Sequence, residues 1–151
     1  MKRRTMIGLA AGVAVSLAAG AGAFAYGAHA GGRHGVMKRM VSAALDEALD
    51  QAQVTPEQRA TIQAARDRVF ATVEGVHEGR GQHLEEGLRL FEADQVDPAQ
   101  VEALHREAEA ARERVRAAVH EAIVEAHDVL TPVQRKAVAD YVRAHRLSRL
   151  H

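Results

Sequence analysis

Three times the chain sets a proline directly after a helix-capping side chain and two residues before a glutamine. The copies are Thr55-Pro56-Glu57-Gln58, Asp97-Pro98-Ala99-Gln100 and Thr131-Pro132-Val133-Gln134, and they account for every proline present. Each copy reads as a helix start. The Thr or Asp side chain accepts a bond from a free N–H of the first turn. Proline at the first helical position loses nothing by lacking an N–H, and its fixed φ suits a helix. Glutamine at the third position can reach back to the cap, so the spacing predicts a capping box at all three starts. Val54, Val96 and Leu130 precede the caps and can staple onto the next turn. Only the middle copy has an apolar partner there (Val101); Arg59 and Arg135 offer aliphatic stems instead.

Between these starts the apolar residues recur at helical spacing. They fall at Met37, Met40, Val41, Ala44, Leu45, Ala48 and Leu49 in a first helix, which makes both methionines core residues. A second seam runs Ile62, Ala65, Val69, Val73, Val76, then Leu84, Leu88 and Phe91. Gly79-Arg80-Gly81 interrupts it, and two glycines cost about 2 kcal/mol relative to alanine, so a kink or short break is expected there. A third seam is a three-four alternation of Val101, Leu104, Ala108, Ala111, Val115, Ala118 and Ala122. Its small residues let a partner helix approach closely. The last helix, Pro132 to about Arg146, is expected to bury Val133, Ala137, Val138, Tyr141 and Val142. The turn Asp94–Asp97 is short, so the helices it joins are antiparallel neighbours. The helix from 98 to about 128 would be roughly 46 Å long, too long for a compact bundle. The expected fold is therefore all-α, an elongated four-helix hooked hairpin with shorter helices folded back at its ends. One face of the hairpin is left without an internal partner, which marks a dimer interface or a binding surface.

Charge divides the chain in two. Residues 1–30 hold Lys2, Arg3 and Arg4 and no acid, whereas residues 31–151 hold 17 basic and 20 acidic residues. Lys2-Arg3-Arg4, the uncharged run Met6 to Ala25 and the small-residue pattern Ala28-His29-Ala30 read as a secretory signal peptide, 1–30, with a retained membrane anchor as the rival reading. The body, 31–151, would then work outside the cytoplasm, where there is no ATP. Its mildly acidic balance argues against nucleic acid as a partner. The absence of cysteine excludes a disulfide scaffold, a thiolate zinc finger, a cysteine nucleophile and an acylated lipoprotein anchor.

The two Thr-Pro-x-Gln copies that follow an aliphatic residue, Val54 to Gln58 and Leu130 to Gln134, resemble the LTxxQ signature of the Spy/CpxP family of periplasmic stress proteins. Zinc-resistance-associated proteins and periplasmic heavy-metal sensors are related to that family. The stretch from Val119 to Arg135 looks like the family's long helix running into its second motif, and His83-Leu84-Glu85-Glu86 before a turn is also similar. The first copy departs in having Val54 where leucine is usual. The resemblance covers roughly Met37 to Arg146. It implies a hooked hairpin that dimerises into a cradle, and a periplasmic homodimer acting as an ATP-independent chaperone, as an inhibitor of a sensor kinase, or as a metal-responsive protein.

The sequence holds nine histidines, which raises the question of metal. A helical two-histidine site needs rings three or four residues apart, and no pair has that spacing. His120 and His127 are seven residues apart, about 10 Å along a helix, and fall on a solvated stripe. His105 is expected opposite Glu85, with His83 on the other flank. No metal or cofactor site is therefore expected within the chain. Zinc or copper would have to be held between subunits, by His34, His145 or His151, since imidazole suits both ions. Arg106, Arg112, Arg114 and Arg116 form a basic stripe, pairing in part with Glu109 and Glu113. No nucleophile–base pair, phosphate loop or paired carboxylates stand out, so no catalytic residue and no enzyme activity is expected. The sequence reading favours a chaperone that holds unfolded or misfolded envelope proteins against a mixed apolar and basic face. A periplasmic zinc, copper or nickel sensor is the alternative.

Overall fold

The computed structural model describes residues 31–147, with side chains described from 35 to 145; the expected signal peptide lies outside the described residues. Four helices follow one another: α1 Gly31–Gln51, α2 Pro56–Glu92, α3 Pro98–Val129 and α4 Pro132–Leu147. There is no strand among the described residues. The all-α hooked hairpin is thus the observed fold. α2 and α3 have 37 and 32 residues, about 55 and 48 Å, and pack antiparallel along their length. α1 and α4 fold back at the open end of that hairpin and pack on each other.

All three prolines sit at helix starts, but the caps are not alike. Thr55 and Gln58 form a full capping box: Thr55 Oγ1 accepts from the Gln58 N–H at 3.2 Å, and the Thr55 N–H donates to Gln58 Oε1 at 2.9 Å. Thr131 and Gln134 repeat it at 3.3 and 2.9 Å. The middle copy departs from the expectation, because Asp97 accepts from the Ala99 N–H at 2.9 Å, one residue earlier. The α1–α2 link closes differently. Gln53 has φ 50°, its N–H bonds to the Asp50 carbonyl at 3.0 Å, and the Val54 N–H bonds to the Leu49 carbonyl at 3.3 Å. This is a Schellman closure with glutamine in the left-handed position that glycine usually takes.

The core runs as a strip and not as a sphere. Ala65, Val69 and Val73 of α2 meet Val115, Val119 and Ala122 of α3. At the open end Leu45, Leu49 and Ala52 meet Ile62, Leu130 and Val138, and Ala48 meets Tyr141 and Val142. The Tyr141 hydroxyl donates to Glu47 at 2.8 Å, tying α4 to α1. The α3 seam follows the expected residues to its end, with Ala118 half-buried and Ala122 buried, and adds Val119, which is buried beside them. A straight helix drifts about 20° per heptad away from a strict seven-residue repeat, so toward its end the stripe widens to take in a neighbouring position.

Three other expectations need correction. Val133 is 79% exposed, because it occupies the second position of the first turn of α4, outside the contact with α1. Met40 is half exposed and only Met37 is partly covered. Finally, α2 passes through Gly79-Arg80-Gly81 without a break. Val76 before the glycines and His83 after them are both partly buried, and packing on either side outweighs the propensity cost. A Cβ on Gly79 or Gly81 would meet nothing within 4 Å. The double substitution Gly79→Ala, Gly81→Ala should therefore stabilise the protein by about 1–2 kcal/mol, measured as a raised thermal midpoint.

Candidate functional site

The two Thr-Pro-x-Gln motifs meet in space. Gln58 Nε2 donates to Gln134 Oε1, and Gln134 Nε2 donates to Gln58 Oε1, both at 3.0 Å. The same amides reach the backbone on either side: Gln58 Nε2 donates to the Val129 carbonyl at 2.6 Å and Gln134 Nε2 to the Gln53 carbonyl at 3.4 Å. Each glutamine thus caps its own helix and grips the end of the helix before the other motif. The arginines that follow complete the junction. Arg135 Nη1 donates to the carbonyls of His127 and Leu130 at 2.9 and 2.7 Å, and Arg59 pairs with Asp50 and lies 3.7 Å from Asp46. The motif is the clasp that sets the angle of both hooks. Gln134→Ala would leave several of these groups unpaired, and a loss of about 2–3 kcal/mol is expected, read as a shifted denaturant midpoint.

The surface most available for recognition lies at the other end. Beyond Val76 the face of α2 turned toward α3 carries His83, Gly87 and Leu90, all partly covered. At Gly87 an added Cβ would stand 3.6 Å from the Leu104 side chain, an ordinary contact distance, which places this position opposite α3. The apolar residues expected on this seam, Leu84, Leu88 and Phe91, each lie one residue further round and are 66%, 46% and 85% exposed. Val96 in the turn is 53% exposed. The result is an apolar stripe along two turns of α2. Lower on the helix the same side is covered: Phe70 is buried, with Lys38 of α1 5.4 Å from its ring centre and bonded to Glu74 at 2.9 Å. Leu88 lies about five turns above Phe70 on the same side, past the stretch that α1 covers.

The stripe is set among exposed acids. Glu85, Glu86, Glu92 and Asp94 flank it on α2 and the turn, against Arg89 alone. Arg106, Arg112, Arg114 and Arg116 stand exposed on α3, with Arg116 paired to Glu113. The expected mixture of apolar and basic groups on one face is therefore modified: the stripe's own flanks are acidic. The two carboxyls held below the ordinary range lie elsewhere. Glu57 is lowered by the backbone N–H of the first turn and then by the Thr55 hydroxyl. Asp140 is lowered by hydrogen bonds from Lys136 and then Arg143.

The histidines do not converge. His120 and His127 are exposed, on the solvated stripe expected of them. The expected His105–Glu85 contact is replaced by another across the hairpin: His83 Nε2 lies 3.4 Å from Glu107 Oε2, at an angle that makes no hydrogen bond. Because the α2 seam is displaced by one residue, it is His83 and not His105 that faces the neighbouring helix. The His145 ring rests on Tyr141 with centroids 4.0 Å apart. Among the described residues no three His, Asp or Glu side chains come together as a metal-binding group, and no helix is long and apolar enough to cross a membrane.

The family model described as heavy-metal resistance matches residues 7–137. The chain belongs to the heavy-metal resistance family. That family includes Spy/CpxP-like and zinc-resistance-associated proteins, so the resemblance carried by the paired motifs is confirmed. Members of the heavy-metal resistance family are typically secreted or periplasmic. No curated protein and no solved structure matches the chain. No chemical step is assigned to the metal in the family's description, because among the described residues no three His, Asp or Glu side chains are placed to hold an ion.

Proposed function

We propose that this protein is a periplasmic, ATP-independent chaperone that acts as a homodimer and holds unfolded or misfolded envelope proteins. The observation that carries this reading is the stripe of Leu84, Leu88 and Phe91, exposed at the closed end of the hairpin and bordered by acids. A folded protein exposes neighbouring large apolar side chains at a cost in solubility, and such patches mark interaction surfaces. A narrow stripe on one helix suits weak, reversible contact with extended apolar segments, and needs no nucleotide to release them. Its acidic border speeds encounter with clients that carry basic residues and adds little affinity.

The experiment is light scattering of a denatured test protein as it aggregates, with the chain added at rising ratio, without nucleotide and with a chelator present. Suppression near one dimer per client is the expected result. The family's description favours one other reading, a metal-responsive protein. In that case suppression would be absent with chelator and would appear with zinc or copper. Titration calorimetry gives an independent measure: the chaperone reading expects no zinc binding tighter than about 100 µM. No suppression under either condition would favour a regulator of a sensor kinase.

A further inference from the structure

The stripe stands on a charged pole of the molecule. Gly87 lies opposite Leu104, so in the antiparallel pair residues 78 and 113 are about level across the hairpin. The closed end between them, residues 78–113, holds ten Asp and Glu against four Arg, a formal −6. The rest of 31–151 holds 13 basic and 10 acidic residues, a formal +3. Every one of the charged side chains in the closed end is exposed. Glu113 is paired with Arg116 and Glu107 lies beside His83, which leaves the excess of acid around the stripe itself. Glu85 and Glu92 each follow a stripe residue by one position, so both fall on the same flank, about 100° round α2 from Leu84 and Phe91. Asp94 continues that border into the turn.

This charge decides between two occupants of the stripe. A second copy laid stripe on stripe would set −6 against −6, and like charges brought together across an interface oppose it. A partner with Lys or Arg beside its apolar residues meets the opposite sign. Its aliphatic stems can also cover apolar surface while the charged heads reach the carboxylates. Salt limits the reach to about 8 Å at physiological ionic strength. The charges that count are therefore those within a turn or two of the stripe, where Glu85, Glu86, Glu92 and Asp94 outnumber Arg89. Such a field acts mainly on the rate of encounter. For a chaperone without nucleotide that rate matters most, because a client is lost once it meets another unfolded chain first.

We propose that the stripe selects its clients by charge, capturing unfolded chains whose apolar segments are flanked by Lys and Arg and capturing acidic chains slowly. The proposal rests on the chaperone reading above and adds to it the class of client.

The test uses the full chain and one lysine-rich test protein, kept unfolded by reducing its disulfides and capping its thiols with a neutral reagent. Half of the preparation is succinylated, which turns each lysine from positive to negative on the same apolar sequence. Association rates are read by stopped-flow anisotropy of a fluorophore on the client. In about 50 mM salt the unmodified client should associate about tenfold faster, the lower end of the range for electrostatic steering. In about 0.5 M salt, where screening is severalfold stronger, the ratio should fall below about twofold. The variant Glu85→Lys, Glu92→Lys, Asp94→Lys brings the formal charge of the closed end to zero and should bring the ratio below about twofold even in low salt. All three positions are exposed, and Lys equals Glu in helix propensity, so helicity should be retained. Equal rates for the two clients in low salt would overturn the proposal and leave the chaperone reading standing. A ratio that neither salt nor the triple variant alters would also overturn it. Capture of neither client would remove the chaperone reading and this proposal together. The salt dependence of the parent protein gives its answer whether or not the variant folds.

Discussion

Replacing Leu84, Leu88 and Phe91 together with glutamine should leave the helices intact and weaken suppression of aggregation at least tenfold. The three side chains are exposed in the folded protein, so they contribute little to its stability. Glutamine matches leucine closely in helix propensity. Against a client, each buried leucine or phenylalanine contributes about 1.5–3 kcal/mol before the cost of ordering the chain is subtracted. Losing three should raise the ratio needed for half-suppression at least tenfold, with an unchanged far-ultraviolet spectrum and thermal midpoint. Full activity in the triple variant would remove the stripe from the account.

The largest loss of stability is expected from Val115→Asp. Val115 is 7% exposed and sits in the middle of the strip that joins α2 to α3. A carboxylate there has no partner on the apolar seam, and burying an unpaired charge costs several kcal/mol. A domain of this size is stable by roughly 5–15 kcal/mol, and here the core is one side chain deep along the hairpin. Neither long helix is expected to persist alone, because helical stability in proteins comes mainly from packing of the apolar face. Circular dichroism should show loss of most helicity and no cooperative melt. A spectrum like that of the parent protein would contradict the packing of α2 on α3.

The elements were legible because their boundaries are written in local chemistry. Cap, proline and glutamine fix where α2, α3 and α4 begin, and the periodicity of Val69, Val73 and Val115 identifies the seam. What was missed lies where tertiary packing overrides a local signal. The glycines at 79 and 81 suggested a break, yet helix–helix contact on both sides carries α2 through. The same region misplaced Leu84, Leu88 and Phe91. An apolar repeat does not show which neighbour it faces, and here Gly87 and Leu90 take the place opposite α3. The pairing of Gln58 with Gln134 spans 76 residues, beyond any local rule, although the repetition of one motif at two helix starts was the signal that could have suggested it.

The central claim is that unfolded clients contact the stripe, and the absence of cysteine allows a direct test. A single cysteine introduced at Gln95, in the exposed turn that follows Phe91 and the end of α2, can carry an environment-sensitive fluorophore. A second variant labelled at Arg112, exposed on α3, serves as the reference. Adding a denatured client should shift the emission of the label at 95 to shorter wavelength, and the same client in its folded form should not. A shift at 112 with none at 95 would contradict the account.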